Sequence, residues 1–297
     1  MNPLVSVYIP THNRKRLLKR AISSVLEQSY PNIEIIVCND GSNDGTRDFL
    51  NQLKKQHSNL TVLHSDKPQG ACHARNLAIA AARGEFITGL DDDDLFTPHR
   101  IADFVSNYDP KYGFLCTSNI IDSPYGKIHT FGKPSIIQFE DIRRKNHVGA
   151  HSFIERKRVY PETLYDESLP AWQDYDLWFR LITQYGPALR LDNHSYIIDQ
   201  QSAKIRISTS SNAYRGYQAF IAKHSELLSD DEQHIHRIND LYHRRVKLGF
   251  IESLRIARSI YDLRRLGALY LATRWPRAYM LISKTAIYLH STSKRTP

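Results

Sequence analysis

A chain of 297 residues with 41% hydrophobic and 24% charged side chains can bury a sizeable core, in one large α/β domain with an appendage or in two modest domains, and disorder of the whole chain is excluded. Its three cysteines, Cys38, Cys72 and Cys116, form no CxxC pair; this excludes a disulfide framework and a zinc cluster and points to small core residues in a reducing compartment. The net charge of +9 is unevenly placed: residues 1–200 carry 23 Lys/Arg against 24 Asp/Glu, and residues 201–297 carry 17 against 7, so the last third suits a negatively charged partner.

In chain order, MNPLVSVYIPTHNRKR has its apolar run before its basic cluster, the reverse of a signal peptide. The longest membrane candidate, AYMLISKTAIYLH, is short and interrupted by Lys284. A cytoplasmic protein is expected. LVSVYIP (4–10) reads as a strand, and RLLKRAISSVLEQ (16–28) as a helix with Leu17, Leu18, Ala21, Ile22, Val25 and Leu26 on one stripe, stopped by Tyr30-Pro31. IEIIVC (33–38) is the second strand, NDGSNDGT (39–46) a turn, and a helix follows near 46–56. TVLH (61–64) is a third strand, ACHARNLAIAAARG (71–84) a helix ending at Gly84, and EFITGL (85–90) a fourth strand. Strands alternating with single helices imply right-handed crossovers and a mainly parallel sheet.

Ligands of such sheets bind where the strands end. The polar groups fall there: Thr11-His12-Asn13 after the first strand, Asp40 after the second, and Asp91 to Asp94 after the fourth. Four adjacent carboxylates repel one another unless a cation, a proton or solvent screens them. Capping of a helix begun at Thr97-Pro98 accounts for one or two of them. No GxGxxG or GxxxxGK[ST] is present and GSNDG (41–45) is not GxSxG, so dinucleotide, P-loop and serine-hydrolase chemistry lose their support. DGSNDG (40–45) fails as an EF-hand because Asn51 stands where a bidentate Glu is needed. The fourteen histidines show no HExxH spacing, and most are expected on the surface.

VSVYIPTHNR, IIVCNDGSNDGT, GACHARNLAI, FITGLDDDDL and AWQDYDLWFRL resemble, in order and spacing, the motifs of the family-2 glycosyltransferases, across residues 4–181. The resemblance implies a GT-A α/β/α sandwich over residues 1–212, with a basic helical region over 213–297. It implies a nucleotide-sugar donor, most often a UDP-sugar, lying against Pro10 and Thr11. Asp40 and Arg75 match the pair that holds the base: a carboxylate can accept the N3–H of uracil while an Arg fork pairs with it and donates to a base carbonyl. Asp91-Asp92-Asp93 match the DxD motif, with Asp93 as direct ligand of Mn²⁺ or Mg²⁺ and Asp91 on the ribose or the metal.

Asp174 matches the catalytic base of an inverting transfer. Gln173 stands where the family commonly has Glu, which puts that neighbour's part in orienting the acceptor in doubt. Arg206 and Ser208, in SAKIRISTSS, could close over a diphosphate. The acceptor implied is a saccharide or a lipid-linked saccharide of bacterial surface polysaccharide. The runs 250–275 and 276–290 interleave basic and apolar residues, which suits helices on the cytoplasmic face of the inner membrane or a helical packing subdomain or dimer contact. Nucleic acid is not an expected partner, because no recognition motif accompanies the charge. The alternative is a binding module that keeps the fold without catalysis.

Overall fold

The computed structural model describes residues 2–124, 126–130, 135–149, 151–201 and 212–275. β1 (Val5–Thr11) and β2 (Ile33–Asp40) are buried at every position, as near-continuous apolar runs require of strands covered on both faces. Between them α1 (Lys15–Leu26) turns Leu17, Leu18, Ala21, Ile22 and Val25 inward, the helical spacing of one apolar face. α2 (Thr46–Lys54), β3 (Leu60–Ser65), α3 (Ala71–Ala81) and β4 (Phe86–Gly89) follow. β1 pairs in parallel with β2 and with β4, and β2 with β3. The chain therefore reverses its direction of build at β1, which opens a crevice at the strand ends between β1 and β4. α3 stops at Ala81, before the expected Gly84. Gly84 instead donates its N–H to Ser6 Oγ and Glu34 Oε1, in a space where a Cβ would meet the Ser6 backbone at 2.7 Å.

The second half of the sheet is mixed. It comprises β5 (Leu95–Phe96), α4 (Arg100–Ser106), β6 (Leu115–Ser123), β7 (Gly126–His129), β8 (Ser135–Ile137), α5 (Phe139–Ile142), β9 (Phe153–Glu155), α6 (Gln173–Tyr185) and β10 (Ala188–Asp199). The order is β3-β2-β1-β4-β9-β6-β10-β5, with β7 on β6 and β8 on β10. β9 runs antiparallel to both β4 and β6, and meets β6 through the single pair Leu115 and Phe153. The Phe153 ring lies stacked on Phe86 at 4.7 Å and on Phe104 at 4.9 Å, in the core that β1, β2 and α1 also fill.

The chain divides into two compact units, Met1–Leu169 with Gln173–Lys204, and Pro170–Trp172 with Ile205–Pro297. The described helices of the second are α7 (Asn212–His224), α8 (Asp230–His243), α9 (Phe250–Ile256) and α10 (Ile260–Arg274). Ile238, Leu248, Leu266 and Leu269 form its core. The run 250–275 is broken after Ile256 because Ser259 caps α10, its hydroxyl accepting the Asp262 N–H at 3.1 Å. No helix among the described residues is long and apolar enough to cross a membrane. The run 276–290, Arg206 and Ser208 lie outside the described residues.

Candidate active site

The four aspartates after β4 resolve into four environments. Asp92 and Asp94 are buried, whereas the side chains of Asp91 and Asp93 remain 30% and 32% exposed. Asp92 accepts the Thr11 hydroxyl at 2.7 Å and Arg14 Nη1 at 2.9 Å, and the same nitrogen reaches Asp93 Oδ2 at 2.8 Å. Burial pushes the Asp92 carboxyl up to about 6, against the pull of Arg14 and Thr11. Asp94 accepts the Tyr196 hydroxyl at 2.9 Å and the Asp199 N–H at 3.0 Å. Burial, then the charges of Asp91 and Asp93, push it well above the usual carboxylate range. Asp91 is the reverse: burial raises it, but Arg75 and His151 override that and hold it well below. The run is therefore not four equal charges, and the alternation leaves the first and third acids open to a ligand.

Arg75, in the second turn of α3, donates from Nη2 to Asp91 Oδ1 at 2.8 Å and lies over the Tyr165 ring. The expected Arg75–Asp40 pair is not formed. The Asp40 carboxylate instead accepts the Gln69 and Gly70 N–H groups, each at 2.8 Å, because the turn into α3 aims two successive amides at the end of β2. His12 adds a contact from its Nδ1 to the Asp40 carbonyl oxygen at 2.6 Å. Pro10 lies in β1 opposite Cys38, and Thr11 opposite Asn39. Asp40 and Thr11 thus both sit at strand ends of the parallel half, where the chain topology opens its crevice.

Asp174 stands in the first turn of α6 and is half-buried. Its Oδ1 accepts the Tyr175 N–H at 2.8 Å, and Oδ2 meets Asn146 Nδ2 only at 3.5 Å. Burial pushes its carboxyl up, with Arg75 and His151 pulling it back and Asp91 adding to the rise. Those influences place Asp174 within electrostatic reach of the Asp91 cluster. Gln173 folds back, donating from Nε2 to the Leu169 carbonyl. Asp176, two residues on, is wholly buried and paired with Arg180, so it braces the helix.

His151 was not legible as a site residue. Most histidines were expected on the surface; His151, like His224, His234 and His236, is buried. His151 Nε2 lies 3.2 Å from Asp91 Oδ1, between the rings of Tyr8 and Tyr196. Gly89 makes the space, since a side chain there would collide with the imidazole and with Tyr8.

Among the described residues no three His, Cys, Asp or Glu could hold a metal by themselves. The two accessible carboxylates fit a smaller demand: Mg²⁺ or Mn²⁺ held by one or two acids and completed by phosphate oxygens and water. The Arg14 guanidinium, bridging Asp92 and Asp93, already shows that this corner accepts a cation.

Residues 6–166 match the family model "Glycosyl transferase family 2". WcaA of Escherichia coli K12, provisionally described as a colanic acid biosynthesis glycosyl transferase, is 33% identical over 235 residues, covering 76% of this chain and 82% of its own. The structure of Staphylococcus aureus TarS 1–349 in complex with UDP-GlcNAc superposes with a TM-score of 0.60 at 15% identity, over 91% of this chain and 79% of that one. A mannosyltransferase from Pyrobaculum calidifontis, PcManGT, in complex with GDP-Man and Mn²⁺, gives 0.51 at 18% identity, over the whole of this chain and 77% of that one. At such identities these two establish the fold, the GT-A arrangement of a central sheet with a helical C-terminal region. The family match over more than half the chain, and a relative sharing a third of its residues along most of both lengths, place this protein in glycosyl transferase family 2.

Proposed function

We propose that the protein is an inverting, metal-dependent hexosyltransferase that moves a sugar from a UDP-sugar to a saccharide on a lipid diphosphate, in bacterial surface polysaccharide synthesis. The observation that carries this reading is the gathering of Asp91, with its Arg75 and His151 partners, and Asp174 at one set of strand and helix ends. One accessible acid pair faces a donor diphosphate, and a separate carboxylate is left for the acceptor. WcaA's description supports the polysaccharide, TarS the UDP-sugar and PcManGT the divalent ion.

In this reading Asp40 and Arg75 receive the base, Pro10 and Thr11 line the nucleotide, and Asp92 keeps Thr11 and Arg14 in place. Asp93 and Asp91 would hold Mn²⁺ or Mg²⁺, which when bound supplies positive charge against the leaving diphosphate. Asp174 takes the proton of the acceptor hydroxyl as that oxygen attacks the anomeric carbon from the face opposite the leaving group. Its burial raises the proton affinity of the carboxyl above that of an exposed aspartate, which suits a group that accepts a proton. Arg206 and Ser208 are proposed to reach the diphosphate. The basic helical region is proposed to rest on the cytoplasmic face of the membrane, beside a lipid-borne acceptor.

A panel of nucleotide-sugars, read by release of nucleoside diphosphate with purified protein, tests the reading. Release from a UDP-sugar, abolished by EDTA and restored by Mn²⁺ or Mg²⁺, is expected. Release at full rate in chelator would remove the metal from the mechanism, and no release from any donor, with or without a saccharide acceptor, would favour a binding module.

A further inference from the structure

His151 is buried to 4% exposure, and neither ring nitrogen completes a hydrogen bond among the described residues. Buried polar groups are satisfied in the great majority of cases, and an exception calls for a reason. The surroundings supply one. The imidazole is confined by the Tyr8 and Tyr196 rings, with centroids 6.0 and 5.6 Å away, and by the bare backbone of Gly89. Its single polar neighbour among the contacts described is Asp91 Oδ1, at 3.2 Å from Nε2. Arg75 takes that same oxygen. Asp91 Oδ2 has no hydrogen-bond partner among the described residues, and its side chain is the partly exposed one.

We propose that His151 is a positioning residue that, together with Arg75, pins one oxygen of Asp91 so that the other is presented, singly and in a fixed direction, to the metal–diphosphate group of the donor. This rests on the donor reading above. A carboxylate free to rotate would exchange its two oxygens; one held at Oδ1 by the Arg75 hydrogen bond and flanked there by the His151 Nε2 at 3.2 Å does not. Arg75 alone fixes a single direction, and rotation about it is blocked only by a second contact. His151 lies two residues before β9, the strand that runs antiparallel beside β4, so it approaches Asp91 from a different part of the fold than α3 does. Such supporting groups behind a metal-binding carboxylate commonly change metal affinity when removed.

Calorimetry of the full chain with UDP, in Mn²⁺ and in EDTA, tests it. Wild-type protein is expected to bind UDP more tightly in Mn²⁺. His151→Phe keeps a ring between Tyr8 and Tyr196 and is expected to lose roughly 10- to 100-fold of the affinity in Mn²⁺, with the affinity in EDTA unchanged. His151→Gln, which retains an N–H donor, is expected to recover part of it. An unaltered response to Mn²⁺ in His151→Phe overturns the proposal, as does an equal loss with and without the ion. If the wild type binds no UDP in either condition, the donor reading itself falls and takes the proposal with it. Should His151→Phe not fold, ¹⁵N spectra of the wild-type imidazoles decide: the His151 resonances are expected to move when Mg²⁺ and UDP are added together but not with UDP alone, and no movement overturns the proposal.

Discussion

An Asp174→Asn exchange keeps the shape of the side chain and removes its ability to accept a proton. Transfer is expected to fall by about 10²–10⁴-fold while UDP binding, measured by calorimetry, is unchanged. A near-normal rate would move the base elsewhere. Because burial raises the Asp174 carboxyl and the ionised form is the active one, kcat/KM of the wild type is expected to decline as the pH falls through a value above the ordinary Asp pKa of about 3.9. A wild-type profile flat through that range would refute this role. At this scale the sequence was a good guide to acids and a poor one to their partners. The aspartate run announces itself because repulsion makes it improbable without a purpose. Arg75 and Asp91 are sixteen positions apart, yet their pairing depends on the first turns of α3 lying beside the end of β4, where the acids follow. His151, sixty residues from Asp91, joins it only through the β4–β9 ladder, which no local pattern encodes.

Within the elements, β2 carries the clearest liability. Glu34 sits in an otherwise apolar run and is 3% exposed. It accepts the Ser6 hydroxyl at 2.6 Å, the Arg83 N–H at 2.6 Å, Arg83 Nε at 2.9 Å and the Gly84 N–H at 3.1 Å. Burial pushes this carboxyl up, but the Ser6 hydroxyl and the Arg83 groups outweigh it and set its folded pKa below the ordinary value. A depressed pKa stabilises the fold above the unfolded pKa, and that share is lost as the pH falls through the folded one. Glu34→Gln is therefore expected to destabilise by about 1–3 kcal/mol at neutral pH, with the gap to wild type narrowing below about pH 4. Urea unfolding at both pH values measures it, and a gap that widens in acid would contradict the sign. The parallel strands were legible because burial on both faces leaves long apolar runs. β9 was not, since three residues show no period. The break between α9 and α10 hid for another reason: arginine and leucine continue across it, and only the Ser259 cap marks the stop.

Over the molecule as a whole, the charge count gave the sign of a partner but not the surface. The structure adds which side chains face out: Phe250, Ile251, Leu254, Ile260 and Leu263 are at least 47% exposed, and Arg255, Arg258 and Arg264 beside them are exposed too. Asp262, one of the few acids there, is buried against His234. Each basic residue near an anionic bilayer contributes about 1 kcal/mol before screening. The protein is expected to sediment with vesicles containing phosphatidylglycerol and less so with neutral ones, and to be released by salt. Ile251→Asp with Leu254→Asp should weaken that binding; equal sedimentation of wild type and variant would remove this surface from the membrane reading.

The contact of β9 with β6 through one residue pair has a mechanical meaning. Between these two strands the sheet has a single rung, and the stack of Phe86 on β4, Phe153 on β9 and Phe104 on α4 packs beside it. The acidic loop spans that seam from the other side, since Asp94 accepts the Tyr196 hydroxyl and the Asp199 N–H of β10, and β5, which follows the loop, pairs with β10. The carboxylate run thus doubles as a clasp across the thinnest seam of the sheet, so that loss of Asp94 would loosen the join between the two halves as well as the acids beside it.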